Sequence, residues 1–128
     1  MAVKIKSVER PQAGTAGGGI KKFYASPVHN GEISGNALIE AVKNVSGSLT
    51  GANICAMLYA MEKAVITGLK EGKIVRLGDL GSFRVTINSE GKDTAEEITA
   101  NAVKKAGIIF TPGKRTQEML NNIEFIKL

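Results

Sequence analysis

The feature that most constrains the fold is a run of apolar residues at helical spacing near the middle of the chain. Its members recur mostly at intervals of three or four, which predicts an amphipathic helix of about 20 residues and roughly 30 Å. Thr50 can cap the start of this helix, and Gly72 ends it. The apolar positions are Ile54, Met57, Leu58, Met61, Val65 and Leu69.

A shorter helix is predicted immediately before the long one. Ser34 or Asn36 can cap its N-terminus, because short polar side chains accept hydrogen bonds from the free N–H groups of the first turn. Gly47 ends this helix. Its apolar residues are Leu38, Ile39, Val42 and Val45.

Segments with strand character flank the two helices. Alternating or β-rich runs occur at residues 3–6, 21–28, 73–77, 82–88, 103–111 and 123–128. We expect the first two runs to form a hairpin across the glycine-rich loop from Pro11 to Gly19, with Pro27 at a sheet edge. Residues 89–97 are a polar excursion, and Pro112-Gly113-Lys114 opens a short helix.

Composition excludes several classes of protein and site. The 128 residues are enough for one domain, and the 43% of apolar residues are typical of a globular chain. A single cysteine, Cys55, rules out an internal disulfide and a cysteine-built zinc site. The single histidine, His29, argues against a histidine metal site or a catalytic triad. We therefore expect no catalytic residues, metal, cofactor or small-molecule substrate.

Two local patterns imitate binding motifs without completing them. Gly14 and Gly19 have the spacing of a phosphate-binding loop, but Ile20 stands where that motif requires lysine. The acids at 90, 93, 96 and 97 do not follow the order of a calcium loop, so a solvated tip is the favoured interpretation. No segment approaches the ~18 apolar residues of a membrane helix, and residues 1–10 lack the apolar core of a secretory signal. These absences predict a cytoplasmic protein with no membrane partner.

The net charge of +5 is unevenly distributed along the chain. Residues 1–30, 73–88 and 101–128 carry +4, +2 and +3, whereas residues 31–72 carry −1 and residues 89–100 carry −3. Arg84 alternates away from Phe83 and Val85, so it is expected to project from the opposite side of its strand. Basic pairs also precede the returning strand and begin the short helix, where free N–H groups favour phosphate. The distribution favours a polyanionic partner.

Several segments together resemble the bacterial histone-like HU and integration host factor family. The resemblance rests on the helix pair, on Gly78-Asp79-Leu80-Gly81-Ser82-Phe83, and on Phe110-Thr111-Pro112-Gly113-Lys114, and it covers about residues 33–122. The added N-terminal hairpin and C-terminal strand resemble the HU-related subgroup of Bacteroidetes-type bacteria. The resemblance implies an α+β fold with a two-helix base, a β-sheet saddle and arm, and a short C-terminal helix. It implies one domain, with residues 1–32 as a β extension, 33–122 as the HU-like core and 123–128 as a final strand.

The same resemblance implies a non-enzymatic architectural protein of the nucleoid that binds double-stranded DNA as a homodimer, largely without sequence preference. By matching position or by proximity, the DNA-binding residues would be Arg84, Lys114, Arg115, Lys104, Lys105, Lys73, Arg76 and Lys92. The dimer core would include Leu80, Phe83, Phe110, Met57, Leu58 and Met61.

The arm between Phe83 and Phe110 departs from the family pattern. Family arms are rich in arginine and carry a proline that kinks DNA, whereas this segment has no proline and its tip is acidic. A tip of charge −3 repels phosphates, so the arm is expected to be short, folded or aimed elsewhere. The alternative function is a structural or protein-interaction module on the same scaffold, with weak or no DNA binding.

Overall fold

The computed structural model describes residues 1–11 and 20–128, and it has the α+β architecture that the sequence predicts. The predicted glycine-rich loop lies outside the described residues except for Pro11. In chain order the elements are β1 (Val3–Pro11), β2 (Lys21–Val28), α1 (Asn36–Val45), α2 (Gly51–Lys70), β3 (Val75–Arg76), β4 (Gly81–Ser89), β5 (Val103–Pro112), α3 (Lys114–Asn122) and β6 (Phe125–Lys127).

The ends of the two long helices follow the sequence signals in three of four cases. The Thr50 hydroxyl accepts a hydrogen bond from the Asn53 N–H at 3.2 Å and so caps α2. Beyond α2, Gly72 has φ +77° and donates its N–H to the Leu69 carbonyl, and α1 ends before Gly47. The predicted cap of α1 by Ser34 or Asn36 is wrong, because Gly35 occupies that position and no side chain caps the helix.

The second half of the chain forms an antiparallel sheet in the order β3-β4-β5. The connection between β4 and β5 is folded rather than extended. It contains two short 3-10 turns, at Ala95–Glu97 and Ala100–Ala102, and the Glu90 N–H donates to the Ala102 carbonyl at 2.8 Å. Ala102 is buried at the base of this connection. We call residues 90–102 the acidic cap.

The two ends of the chain meet in the other sheet, whose order is β2-β1-β6. β1 and β2 form the predicted antiparallel hairpin, and β6 adds to β1 in parallel. The Val3 N–H donates to the Glu124 carbonyl at 2.8 Å, and the Leu128 N–H donates to the Ile5 carbonyl at 3.0 Å. The predicted last strand is confirmed, and it belongs to the N-terminal sheet rather than to the sheet that precedes it in sequence.

One copy of the chain buries very little. Among the described apolar residues only Ile54 and Ala102 are buried. The accessible surface is 10398 Å², whereas a compact monomer of 13.5 kDa exposes roughly 6,500 Å². A chain with 43% apolar residues therefore leaves an unusually large part of its surface uncovered. No helix in the described parts of the chain is long and apolar enough to cross a membrane.

Candidate nucleic-acid interface

The β4–β5 hairpin has one apolar face, because paired residues of adjacent strands project to the same side. Phe83 pairs with Phe110, and their ring centroids lie 5.1 Å apart. Phe83 also borders a groove lined by α2, so this side of the hairpin faces the helices at its base. The apolar face consists of Phe83, Val85, Ile87, Ala106, Ile108 and Phe110.

The opposite side of the hairpin is the polar face. Arg84 pairs with Ile109, and Lys105 pairs with Asn88 about four residues, or ~13 Å, further along the arm. Arg76 of β3 pairs with Ser82 and is therefore a diagonal neighbour of Arg84, at about 7–8 Å. Strands β3, β4 and β5 contain no acidic residue. The polar face consists of Arg76, Ser82, Arg84, Thr86, Asn88, Lys105, Gly107, Ile109 and Thr111.

A register shift separates the two neighbouring lysines of β5. The pairing runs from Asn88–Lys105 directly to Ser89–Val103, so Lys104 has no cross-strand partner. An unpaired residue at such a bulge leaves the alternation of the strand. Lys105 is therefore placed on the polar face by pairing, whereas Lys104 is not.

Two glycines explain why α3 begins where it does. Gly81 has φ +152°, and a Cβ atom there would lie 2.5 Å from the Phe110 ring and the Thr111 carbonyl oxygen. A Cβ atom on Gly113 would lie 2.5 Å from the Asp79 carbonyl oxygen. The backbone of residues 78–81 thus crosses the end of β5 at a distance that a larger residue would prevent. This crossing fixes the start of α3 beside the hairpin.

The first turn of α3 is tied to the crossing segment. The Arg115 N–H donates to the Asp79 carbonyl at 3.1 Å, and its guanidinium Nε lies 3.6 Å from the Asp79 carboxylate. The Thr116 hydroxyl donates to the Leu80 carbonyl at 2.6 Å. The Asp79 carboxylate therefore already balances part of the positive charge at this helix end. Lys114, the preceding residue, takes part in no ion pair among the described residues.

The eight sequence-predicted cations differ in their ion pairing. Lys73 pairs with Glu71 at 2.9 Å, Lys92 pairs with Glu90 at 3.2 Å inside the acidic cap, and Arg115 pairs with Asp79. The ion pairs of the described residues include none of Arg76, Arg84, Lys104, Lys105 and Lys114. The structure thus brings Arg76, Arg84 and Lys105 to one face and places Lys92 apart, among acids.

A groove of about 560 Å³ between the helices and the sheet is lined mainly by apolar side chains. Leu58, Met61 and Phe83, three of the residues predicted for the dimer core, line it. Tyr59 and Ile66 also line it, 60% and 54% exposed, although sequence analysis missed them. They lie seven residues apart, which is two helical turns and was the available signal. Of the remaining predicted core positions, Met57, Leu80 and Phe110 are all exposed in one copy of the chain.

Comparison with solved structures finds a protein of similar fold over nearly the whole chain. A crystal structure of a candidate DNA-binding protein from Bacteroides vulgatus superposes with a TM-score of 0.69 at 16% sequence identity. The match covers 99% of this chain and 48% of that one, so the chain spans about half the length of this neighbour. At this identity the likeness shows the fold alone.

Comparison with curated proteins finds no match. Comparison with family models does find one, over residues 1–127, for an HU domain fused to a wHTH, Ig or glycine-rich motif. This range includes the helix pair, the hairpin, α3 and both strands of the N-terminal hairpin, so the resemblance inferred from residues 33–122 extends over nearly the whole chain. The chain belongs to this HU-HIG family.

Proposed function

We propose that this protein is a non-enzymatic, DNA-binding architectural protein of the bacterial nucleoid that acts as a homodimer in the cytoplasm. Membership of an HU family supports this function, and so does the description of the structural neighbour as a candidate DNA-binding protein. The whole of residues 1–128 forms the HU-like domain in this proposal. Residues 1–32 and 123–128 supply its added sheet, and residues 33–122 supply its core.

The observation that carries the proposal is that cations lie on the side of the β4–β5 hairpin opposite its apolar face. Arg84 and Lys105 stand on a face without carboxylates, whereas the other face is entirely apolar. Arginine and lysine bind phosphate through charge-assisted hydrogen bonds, and the nearby hydroxyl and amide groups of Thr86 and Asn88 add neutral donors. Such a face holds the DNA backbone and carries little sequence information.

The other proposed contacts follow from the ion pairing. Arg76, Lys104 and Lys114 are available to phosphate without giving up a carboxylate partner among the described residues. Lys73, Lys92 and Arg115 must exchange Glu71, Glu90 and Asp79 for phosphate, so we rank them as weaker contacts.

The dimer is argued from the uncovered apolar surface. The chain exposes on the order of 4,000 Å² more than a compact monomer of its mass. Obligate dimer interfaces are apolar and bury about 2,000–5,000 Å² in total, or roughly 1,000–2,500 Å² from each partner, so a dimer covers a large part of this excess. A second copy packed on the groove and the apolar face would cover Met57, Met61 and Phe110, which one copy leaves in water.

The test is the salt dependence of binding to short duplexes of random sequence. If each protomer contributes three or four cations, the dimer releases about six to eight counterions, and the slope of log K against log salt is about −5 to −7. We expect binding at about 50 mM salt that falls by about a thousandfold or more at 200 mM. Absence of binding at the lower concentration, or a flat slope, contradicts the proposal.

The acidic cap favours a second candidate function, a protein-interaction module. The segment carries four acids, one of which, Glu90, forms an ion pair with Lys92 of the same segment. A cap of this charge repels DNA and suits a basic protein surface. The DNA titration and the oligomeric state together separate the two functions, because a module of this kind shows weak or no DNA binding and forms discrete higher oligomers.

A further inference from the structure

The N-terminal sheet has a face that the proposed function does not use. Pairing within the β1–β2 hairpin places Lys4, Lys6 and Arg10 on the same side as Lys22. Glu9 is the one acid of these two strands, and it alternates to the other side together with its partner Phe23. The result is a face of the β1–β2 hairpin with four cations and no carboxylate, which we call the N-terminal basic face.

These four cations are not neutralised inside the chain. All four side chains are exposed, and none takes part in an ion pair among the described residues. Residues 12–19, which connect the two strands, contain no acid in their sequence. The charge of the N-terminal basic face is therefore available to a ligand from outside.

The two closest cations of this face repel each other. Arg10 and Lys22 are direct cross-strand partners, with Cβ atoms about 4.5–5.5 Å apart. Like charges at such a pair destabilise a hairpin. An anion bound between them removes that repulsion, so the pair stabilises the sheet only when a ligand is present.

The spacing of the face fits an extended polyanion rather than a single small anion. Lys4 and Arg10 are six residues apart on one strand, which is about 20 Å. Tyr24 lies between them on the neighbouring strand, opposite Val8 and diagonal to Lys6 and Arg10. It is 37% exposed, and a phenol hydroxyl is a further donor to phosphate. Cations and a hydroxyl spread over this length match successive phosphates of a nucleic-acid backbone.

We propose that the N-terminal basic face is a second nucleic-acid-binding surface, which holds the phosphate backbone of a duplex independently of the polar face of the β4–β5 hairpin. Each protomer then carries two surfaces for DNA on two different sheets. The inference does not depend on the proposed function, because the two surfaces share no residue.

The experiment compares two double variants, each of which removes two positive charges from one side of the N-terminal sheet. Arg10→Gln with Lys22→Gln removes both positive charges of the closest cation pair on the N-terminal basic face. Lys21→Gln with Lys127→Gln removes the same net charge from the opposite side, because Lys21 pairs with Pro11 and Lys127 pairs with Ile5. Each pair of substitutions is introduced separately into a chain that carries Arg84→Gln and Lys105→Gln, so that the polar face contributes little to DNA binding. Binding of short duplexes is measured at about 50 mM salt.

We expect the background chain to retain duplex binding and the Arg10, Lys22 substitutions to weaken it by about tenfold or more. The Lys21, Lys127 substitutions should leave it nearly unchanged. The Arg10, Lys22 chain should also melt at the same or a higher temperature, since a like-charge pair has been removed. Loss of binding without loss of folding is the signature of a ligand surface.

Three results overturn the inference. Equal weakening by the two pairs shows that only net charge matters, and no weakening by either shows that the face is not used. Unchanged DNA binding together with loss of higher oligomers in the Arg10, Lys22 chain assigns the face to the acidic cap of another copy. Failure of the proposed function gives a different result, in which Arg84→Gln with Lys105→Gln alone leaves wild-type affinity.

Discussion

Gly81 is the residue on which the junction between the hairpin and α3 depends most directly. We expect Gly81→Ala to destabilise the protein by about 2–4 kcal/mol, because a Cβ atom would overlap the Phe110 ring and the backbone conformation is strained for other residues. Denaturant titration measures the change. Gly47→Ala is the control, since no atom lies within 4 Å of a Cβ atom there. Equal stability of the two variants would show that the crossing is not tight.

Substitutions at Thr50 and Ser34 distinguish a helix cap that the structure shows from one that only the sequence suggests. Thr50→Ala removes the acceptor of the Asn53 N–H and should cost about 1 kcal/mol of stability. Ser34→Ala should change stability by less than about 0.5 kcal/mol, because Gly35 holds the cap position of α1. Thermal unfolding of both variants checks the difference, and a larger loss for Ser34→Ala would restore the sequence-based assignment.

Residue types alone identify Arg84 as outward-facing but do not distinguish its neighbours. The sequence does not give the register of β5, and only the pairing with Asn88 puts Lys105 on the side of Arg84. Whether Lys104 follows the alternation depends on the bulge near Ser89, which the sequence does not indicate. Likewise, the predicted cations Lys73, Lys92 and Arg115 look equivalent to the others until their carboxylate partners are seen.

At the scale of elements, the acidic cap is the part of the hairpin whose negative charge would repel the phosphates of DNA. Glu96→Gln with Glu97→Gln reduces its negative charge while keeping oxygen acceptors, such as the one that receives the Thr94 hydroxyl hydrogen bond. We expect severalfold tighter duplex binding at low salt, with the gain disappearing as salt screens the repulsion. Fluorescence anisotropy at several salt concentrations measures this effect.

The control for the acidic-cap variant is Glu32→Gln with Glu40→Gln, which removes two acids from the region of α1. These residues lie before and within α1, away from the hairpin in sequence. If both pairs tighten binding equally, the effect comes from net charge and the cap has no special position relative to DNA.

The elements also show where sequence reasoning succeeds. The helical spacing of apolar residues predicts α2 because it repeats over five turns. The alternation of apolar and polar residues predicts β4 because one face of that strand is apolar. The pairing of β6 with β1 was not predictable, since a three-residue strand carries no signal for its partner. The sequence predicts an arm that is short, folded or aimed elsewhere, but it cannot select the folded form, because the two short turns of the acidic cap depend on local backbone hydrogen bonds rather than on a periodic pattern.

For the whole molecule, the main expectation is that folding and dimerisation are coupled. Met61 is exposed in one copy and lines the apolar groove, so Met61→Glu should weaken the dimer by about 100-fold or more by burying an unpaired carboxylate. Val45→Glu is the control, since Val45 is 89% exposed and does not line the groove. Sedimentation velocity measures the assembly.

The wild-type Tm should rise with protein concentration, as expected for a native state stabilised by association. The Met61→Glu chain should lose this dependence over the range where it is monomeric. A wild-type Tm that is independent of concentration, with a monomeric mass, would leave the apolar groove to another partner.

The proposed function requires that the polar face of the β4–β5 hairpin binds DNA through phosphates. It is tested most directly by the salt slope of the Arg84→Gln, Lys105→Gln chain against that of Lys43→Gln, Lys70→Gln, which removes two charges from the helices. We expect the slope to be less steep by about 3.6 for the hairpin variant, since a dimer loses four contacts, and to be unchanged for the helix variant. Identical slopes for the two variants would contradict it.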